Sequence, residues 1–83
     1  MNVNNLFREL SMMNVKGYAQ LTDEQKQLFD ETYKAHLSMM GNDTKAKHQE
    51  QNIEEIKWDK NKKCLKVYFD NGDWYHYEDC KWY

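Results

Sequence analysis

The sequence contains no proline, only three glycines and only two cysteines. The absence of proline removes one common marker of linkers and stiff loops. No apolar run approaches the roughly 20 residues that a membrane-spanning helix requires. The opening residues lack the basic and apolar regions of a secretory signal, so we expect a cytoplasmic location. Because the cytosol keeps thiols reduced, Cys64 and Cys80 are expected to be free.

The chain also lacks an excess of positive charge, since 12 basic and 14 acidic side chains give a formal net charge of −2. Nonspecific binding to duplex DNA requires a clustered basic face that displaces counterions. We therefore expect no binding to free duplex DNA, and no membrane association. With 83 residues, 40% hydrophobic and 31% charged, the chain has the composition of one small globular domain with a thin core.

Apolar periodicity predicts two helices within residues 1–41. A short first helix spans residues 3–13, and Asn14 and Gly17 follow it as natural stops. The second helix begins at a capping box, Thr22 to Gln25, and ends at Gly41. The apolar stripe of the first helix is Val3, Leu6, Phe7, Leu10 and Met13. The expected buried stripe of the second is Leu28, Phe29, Tyr33, Leu37 and Met40.

The period changes in the second half of the chain. Residues 42–55 are polar, and they fit either a linker or a short helix that starts at Asn42 or Asp43. Residues 56–83 alternate apolar and polar side chains with a period of two, which predicts a three-stranded antiparallel β-meander. The predicted fold is therefore α+β, with two N-terminal helices packed on this meander in one domain.

The turn at Asn71-Gly72 decides the register of the last two strands. A two-residue loop pairs Phe69 with Trp74, whereas a three-residue loop with Gly72 at positive φ pairs Phe69 with Asp73. A slip of one residue exchanges the two faces of a strand. Only the three-residue loop collects the larger apolar set on one face, so we predict it. That set is Leu65, Val67, Phe69, Tyr75 and Tyr77.

No residue pattern identifies a reaction. Cys64, His76 and Cys80 would share one face if the third strand extended to Cys80, and thiolate and imidazole suit zinc. The spacing matches no closed zinc pattern, however, and a fourth ligand would have to come from His36 or His48. Cys64 and His76 could form a nucleophile–base pair, but so small a fold has little room for a water-excluding cleft. We expect no metal, no cofactor and no enzymatic activity.

The aromatic residues of the meander favour a binding function. One face cannot bury them all, so Tyr68, Trp74, Trp82 and Tyr83 are expected on the second face or at the terminus. Exposed tryptophan and tyrosine dominate binding hot spots. The alternative is that the helices or a second copy of the chain, in a homodimer, cover this face. The predicted partner-binding residues are Trp74, Tyr68, His76, Asp70, Asp73, Glu78 and Asp79.

Charge divides the meander into a basic turn and an acidic opposite end. The basic turn could contact a nucleic-acid backbone, and the acidic end could mimic a nucleic acid toward a basic groove. A solvated surface with edge lysines that discourage aggregation explains the same pattern. The alternative nucleic-acid contacts are Lys60, Lys62, Lys63 and Lys66.

The stretch Leu65-x-Val67-x-Phe69-x-Asn71-Gly72-x-x-Tyr75-x-Tyr77 resembles the short β-meander modules of small bacterial and phage proteins, including the KTSC type. The whole chain, short, acidic and aromatic-rich, resembles small accessory proteins of phages and mobile elements, including anti-CRISPR and other host-takeover inhibitors. The resemblance implies a non-enzymatic binding protein that inhibits a host nucleic-acid-handling protein, such as a CRISPR effector, by occluding a surface. The alternative is a small nucleic-acid-binding or regulatory module that uses the lysine-rich turn and the adjacent aromatics.

Overall fold

A computed structural model describes residues 12–83. The first helix predicted over residues 3–13 lies, apart from its last two residues, outside this range. The described residues form an α+β fold with one main helix and a four-stranded antiparallel sheet, and none of their helices is long and apolar enough to cross a membrane. The elements are α1 (Asp23–Ser38), α2 (Asn42–Ala46), a 3-10 turn (Glu50–Asn52), β1 (Ile53–Asp59), β2 (Cys64–Phe69), β3 (Trp74–Glu78) and β4 (Lys81–Trp82).

Helix α1 begins at the predicted capping box. The Thr22 hydroxyl accepts from the Gln25 backbone N–H at 3.1 Å, and the Gln25 side chain accepts from the Thr22 N–H at 2.9 Å. The helix ends at Ser38 rather than at Gly41, because Gly41 is already the N-cap of α2. The predicted apolar stripe is also only half correct. The buried residues of α1 are Phe29, Thr32, Tyr33 and His36, while Leu28 and Leu37 are only partly buried.

The sheet has the order β1-β2-β3-β4, one strand more than predicted. Strand β3 ends at Glu78, and the chain reverses through Asp79 and Cys80, which have φ angles of 33° and 62°. Two successive positive φ angles define the tight turn that matches the twist of a hairpin. The buried Thr32 hydroxyl of α1 accepts from the Cys80 N–H at 3.0 Å and fixes this turn against the helix.

The predicted register of β2 and β3 is confirmed. Tyr75 pairs with Val67 and Tyr77 with Leu65. The Phe69 N–H donates to the Asp73 carbonyl at 2.8 Å, and Gly72 has a φ of +93°. The larger apolar set therefore faces one side of the sheet, which we call the inner face.

Helix α1 packs on the inner face through aromatic rings. Phe29 stacks on Tyr33 and on Tyr77, with ring centroids 5.2 Å and 5.9 Å apart. His36 stacks on Trp82 at 4.9 Å, and its Nδ1 lies 2.8 Å from the Tyr77 hydroxyl. Trp82 therefore lies on the terminal strand and packs on the inner face, not on the second face.

Burial sets the protonation of this cluster. Desolvation, with a smaller contribution from the charge of the nearby His48, lowers the pKa of His36 from 6.5 to about 4. Desolvation also raises the pKa of Tyr77. A neutral imidazole and a neutral phenol can therefore share one hydrogen bond without any buried charge at neutral pH.

The segment that precedes α1 pairs with the outer edge of β1. Lys16 pairs in parallel with Glu55, and the Ile56 N–H donates to the Lys16 carbonyl at 2.9 Å. Gly17 follows with a φ of +88°, and a Cβ at this position would lie 2.0 Å from the Ile56 carbonyl oxygen. Only glycine fits here, because any side chain would push the segment off the strand.

Two glycines with similar backbone angles test this close approach. Gly72→Ala should lower the free energy of unfolding by about 1–2 kcal/mol through backbone strain alone, since no atom lies within 4 Å of its Cβ. Gly17→Ala adds the clash with Ile56 and should cost about 3 kcal/mol or more. Chemical denaturation measures both values. Equal losses for the two variants would contradict the proposed packing of Gly17 on β1.

The lowered pKa of His36 predicts destabilisation by acid. Between pH 6.5 and about 4 the unfolded chain binds more protons than the folded protein, so stability falls as the pH falls. From pH 7 to pH 5 this residue should remove about 2 kcal/mol from the free energy of unfolding. His36→Asn keeps a polar group near the Nδ1 position but does not titrate, so denaturation at the two pH values should show a smaller difference. An unchanged difference would refute the assignment.

Candidate functional site

Four aromatic rings form a continuous row on the outer face of the sheet, opposite α1. We call Tyr68, Trp74, His76 and Tyr83 the aromatic ladder. Successive centroids lie 5.6 Å, 5.0 Å and 4.7 Å apart along this order. Trp74 and Tyr83 have 48% and 59% of their surface exposed. The outer face therefore presents a continuous strip of aromatic surface to solvent.

The strand register builds the ladder. Tyr68 lies directly opposite Trp74, and alternation along β3 places His76 on the same side as Trp74. Tyr83 joins the row because its backbone exchanges two hydrogen bonds with His76, at 2.8 Å and 3.2 Å. Cross-strand aromatic pairs of this kind stabilise antiparallel sheets. The ladder is thus held in place by the sheet that carries it.

The rings of the ladder turn their faces toward one another. Tyr68 and Trp74 are inclined by 16°, and His76 and Tyr83 by 14°. The Lys57 ammonium lies 5.7 Å from the centre of the Tyr68 ring, and it approaches from β1. A nucleobase stacks on a free ring face. Each ladder ring therefore has a face turned toward a neighbouring ring, which leaves less free ring face for a nucleobase.

Charges on the outer face balance one another. Lys66 lies 3.4 Å from Asp59, and Lys57 lies 3.9 Å from Glu55. The backbone N–H of Lys62 is the main cause that lowers the pKa of Asp59, and hydrogen bonds from Lys66 and Asn61 add to it. The Asp59 carboxylate accepts from the backbone N–H groups of Asn61 and Lys62 at 2.9 Å and 3.1 Å, and so shapes the β1–β2 turn. The ladder is therefore flanked by paired charges and not by a basic field.

The predicted acidic residues fall into two separate groups. Asp73 accepts from His48 Nε2 at 2.9 Å, and Asp70 accepts from the Asn52 side chain at 3.2 Å. Both carboxylates therefore serve contacts within the protein. Glu78 and Asp79 lie at the other end of the sheet, and Glu78 accepts from the Tyr83 hydroxyl at 3.1 Å.

The predicted separation of a basic turn from an acidic opposite end is therefore only half correct, since Asp70 and Asp73 lie at the opposite end but Glu78 and Asp79 do not. The β1–β2 and β3–β4 turns lie at the same end of an antiparallel meander, so Asp79 is beside the lysines and not opposite them. Lys60, Lys62 and Lys63 are exposed in the β1–β2 turn. None of these three forms an ion pair within residues 12–83. Lys66 lies outside the turn, on β2.

The sheet keeps the candidate metal ligands apart. Cys64 has no exposed surface, and burial raises the pKa of its thiol, while Cys80 is exposed in a turn because β3 ends before it. His36 and His48 pack on inner-face rings, whereas His76 belongs to the outer ladder. Over the part of the chain that is described, no three His, Cys, Asp or Glu side chains are close enough to bind a metal ion.

The chain matches no protein-family model, no curated protein and no solved structure. The candidate site therefore rests on its own geometry. Strand alternation in the sequence places Tyr68, Trp74 and His76 on the outer face but leaves Tyr83 out of the predicted site. No local signal marks the fourth strand that adds Tyr83, because its turn at Asp79 and Cys80 lacks the glycine that usually follows Asp in a hairpin turn.

The two cysteines should differ sharply in reactivity. In the folded protein a thiol reagent should modify Cys80 rapidly and Cys64 only after unfolding, because the Cys64 thiol is buried and its pKa is raised. Quantification with a chromogenic disulfide reagent should give one fast equivalent, and two after denaturation. Cys80→Ser should remove the fast equivalent. Two fast thiols in the wild-type protein would contradict the burial of Cys64.

Proposed function

We propose that the chain is a non-catalytic binding protein whose aromatic ladder docks on the surface of another protein. The observation that carries the proposal is the exposed row of Tyr68, Trp74, His76 and Tyr83 on the sheet face opposite α1. In its most concrete form the partner is a host nucleic-acid-handling protein, such as a CRISPR effector, whose working surface becomes occluded. That identity rests on the resemblance to phage accessory proteins, while the docking surface rests on geometry.

A protein partner fits the ladder better than a nucleic acid does. Tryptophan and tyrosine at the centre of an interface, surrounded by polar residues, are typical of protein–protein hot spots. Each ladder ring has a face turned toward a neighbouring ring, and Lys57 lies over Tyr68, so fewer ring faces are free for nucleobases. The ion pairs of Lys57 and Lys66 also leave little net positive charge for a phosphate backbone.

A rigid platform supports this role. The ladder is built on paired strands, so its side chains need little ordering on binding, which lowers the entropic cost of association. Trp74, inside the row, lies at the start of β3 beside a turn that His48 and Asn52 hold through Asp73 and Asp70. Binding residues placed on fixed elements in this way are preorganised for one partner surface.

A second candidate function is contact with a nucleic-acid backbone through the β1–β2 turn. The exposure of Lys60, Lys62 and Lys63, without ion pairs among the described residues, favours it. Replacing all three with alanine should then weaken binding to a single-stranded oligonucleotide and flatten its salt dependence. A submicromolar dissociation constant in a fluorescence-anisotropy titration would favour this function over protein docking.

Substitution of Trp74 tests the docking proposal. Trp74→Ala should weaken a complex with a partner purified from bacterial lysate by about 2 kcal/mol or more, roughly 30-fold, because a central tryptophan is a hot-spot residue. Its unfolding free energy should change far less, since a half-exposed ring leaves no closed cavity. Calorimetric titration and thermal unfolding on the same samples measure the two effects.

Met39→Ala is the matched control. Met39 is 75% exposed but lies beyond the end of α1, away from the ladder. This variant should bind and unfold like the wild-type protein. A Trp74→Ala protein that is unfolded, or that is folded and binds its partner fully, would refute the proposal. A wild-type dimer in sedimentation velocity that Trp74→Ala dissociates would instead identify a second copy of the chain as the occupant.

A further inference from the structure

The β2–β3 turn contains a chemically labile dipeptide. Of the asparagines in the sequence, only Asn71 is followed by glycine. Both residues of this pair are exposed, and apart from the chain neighbours no atom lies within 4 Å of the point where a Cβ of Gly72 would be. A side chain on the residue after asparagine shields its own backbone nitrogen, and glycine provides no such shield. The Gly72 nitrogen is therefore sterically open toward the Asn71 carboxamide.

The reaction available to this dipeptide is deamidation, with water as the co-reactant. The Gly72 nitrogen loses its proton and forms a bond to Asn71 Cγ, while the Cγ–Nδ2 bond breaks. Nδ2 takes up a proton and leaves as ammonia, and a five-membered succinimide ring remains. Water then adds to one of the two ring carbonyls and opens the ring to an aspartyl or an isoaspartyl residue. One water is consumed and one ammonia is released, and no oxidant or reductant is needed.

The folded turn holds both reacting groups in other contacts. The Gly72 N–H donates to the Phe69 carbonyl at 3.1 Å. Asn71 is held twice by Asp73, since its Oδ1 accepts from the Asp73 backbone N–H at 3.0 Å and its Nδ2 donates to the Asp73 carboxylate at 3.2 Å. Ring closure removes the proton of the first bond, and the departure of Nδ2 ends the last.

We propose that Asn71 is a site of spontaneous deamidation whose rate the closed β2–β3 turn controls. In the unfolded chain the Gly72 nitrogen and the Asn71 carboxamide have no competing partners, so the ring closes at its intrinsic rate. In the folded protein the same reaction requires a local opening of the turn, which costs free energy. The hydrogen bonds that fix the register of β2 and β3 therefore also protect the side chain of Asn71.

The modification changes the turn from which β3 starts. An aspartyl residue at position 71 has no side-chain N–H to donate, so its carboxylate would face the carboxylate of Asp73. An isoaspartyl residue adds one methylene group to the main chain, inside a loop whose length sets the strand register. Both products add a negative charge beside Trp74, the first residue of β3 and a member of the aromatic ladder. Deamidation should therefore alter the local structure at this end of the ladder.

Mass spectrometry of the full chain in water enriched in oxygen-18 tests the site and its protection. Hydrolysis of the ring incorporates one heavy oxygen, which marks the modified residue. In the chain unfolded with urea at neutral pH, we expect the label at position 71 before any other asparagine. In the folded protein at the same pH and temperature, labelling of position 71 should be at least about tenfold slower, because the turn must open first. Equal rates in the two states, or earlier labelling of another asparagine in the unfolded chain, would overturn the proposal.

Two substitutions in the turn separate this protection from general effects. Asp73→Ala removes the carboxylate that holds Asn71 Nδ2, so labelling of the folded protein should become faster. Asp70→Ala removes a carboxylate of the same turn that contacts Asn52 and not Asn71, so the rate should stay near the wild-type value. Thermal unfolding shows whether each variant is folded, and the wild-type comparison needs no variant. If Asp73→Ala were labelled no faster than Asp70→Ala, control of the rate by the Asp73 contact would be refuted.

The effect on the ladder is measured on the modified protein itself. Anion exchange separates the deamidated protein from the wild type by its additional charge. In nitrogen-labelled samples the amide resonances of Asp73 and Trp74 should shift, while those of Asp79 and Cys80 at the other end of the sheet should not. Unshifted resonances of Trp74 would overturn the predicted effect on the ladder.

Discussion

The packing of Tyr77 against α1 is the contact on which the rest of the structure depends. Its ring stacks on Phe29, its hydroxyl shares a hydrogen bond with His36, and its side chain is fully buried. Because side chains alternate along a strand, an inward Tyr77 forces Trp74 and His76 outward. The aromatic ladder is therefore a direct consequence of how the core is formed, and the proposed binding surface follows from the same constraint that determines the fold.

Within residues 12–83 the inner layer contains three buried polar side chains, Thr32, His36 and His48, each with a partner. The Thr32 hydroxyl accepts from the Cys80 N–H in the β3–β4 turn, and His36 Nδ1 lies at hydrogen-bond distance from the Tyr77 hydroxyl. His48 contacts the Thr44 carbonyl of α2 through Nδ1 and the Asp73 carboxylate of the β2–β3 turn through Nε2. A buried polar group without a partner would cost more than its hydrogen bond contributes, so these contacts specify one arrangement of helix and sheet. Burial keeps His36 neutral at neutral pH, so acid charges it against its surroundings.

Local patterns in the sequence predict the capping box, the α+β class and the register of the central hairpin. The register follows because Leu65, Val67, Tyr75 and Tyr77 carry a strong alternation on both sides of Asn71-Gly72. Strand β4 could not be predicted in the same way. Its turn places Cys80, where glycine is usual, at positive φ after Asp79, and a tertiary hydrogen bond to Thr32 stabilises Cys80 there.

The candidate site is predictable only in part for the same reason. Tyr68, Trp74 and His76 follow from strand alternation, which is local. Asp73 contacts His48, which is 25 residues away in the sequence, and no spacing rule indicates such a contact. The position of Trp82 on the inner face likewise depends on a strand that the local pattern does not reveal.

Site-specific photocrosslinking in living bacteria tests the central claim most directly, since the probe captures whichever macromolecule lies against it. Tyr68→p-benzoylphenylalanine places the probe in the ladder, and the same change at the exposed Lys34 of α1 serves as the reference. Irradiation should give a discrete protein adduct from position 68 and none from position 34. Adducts of equal yield from both positions, or adducts to nucleic acid from position 68, would contradict the assignment of the outer face as a protein-docking surface.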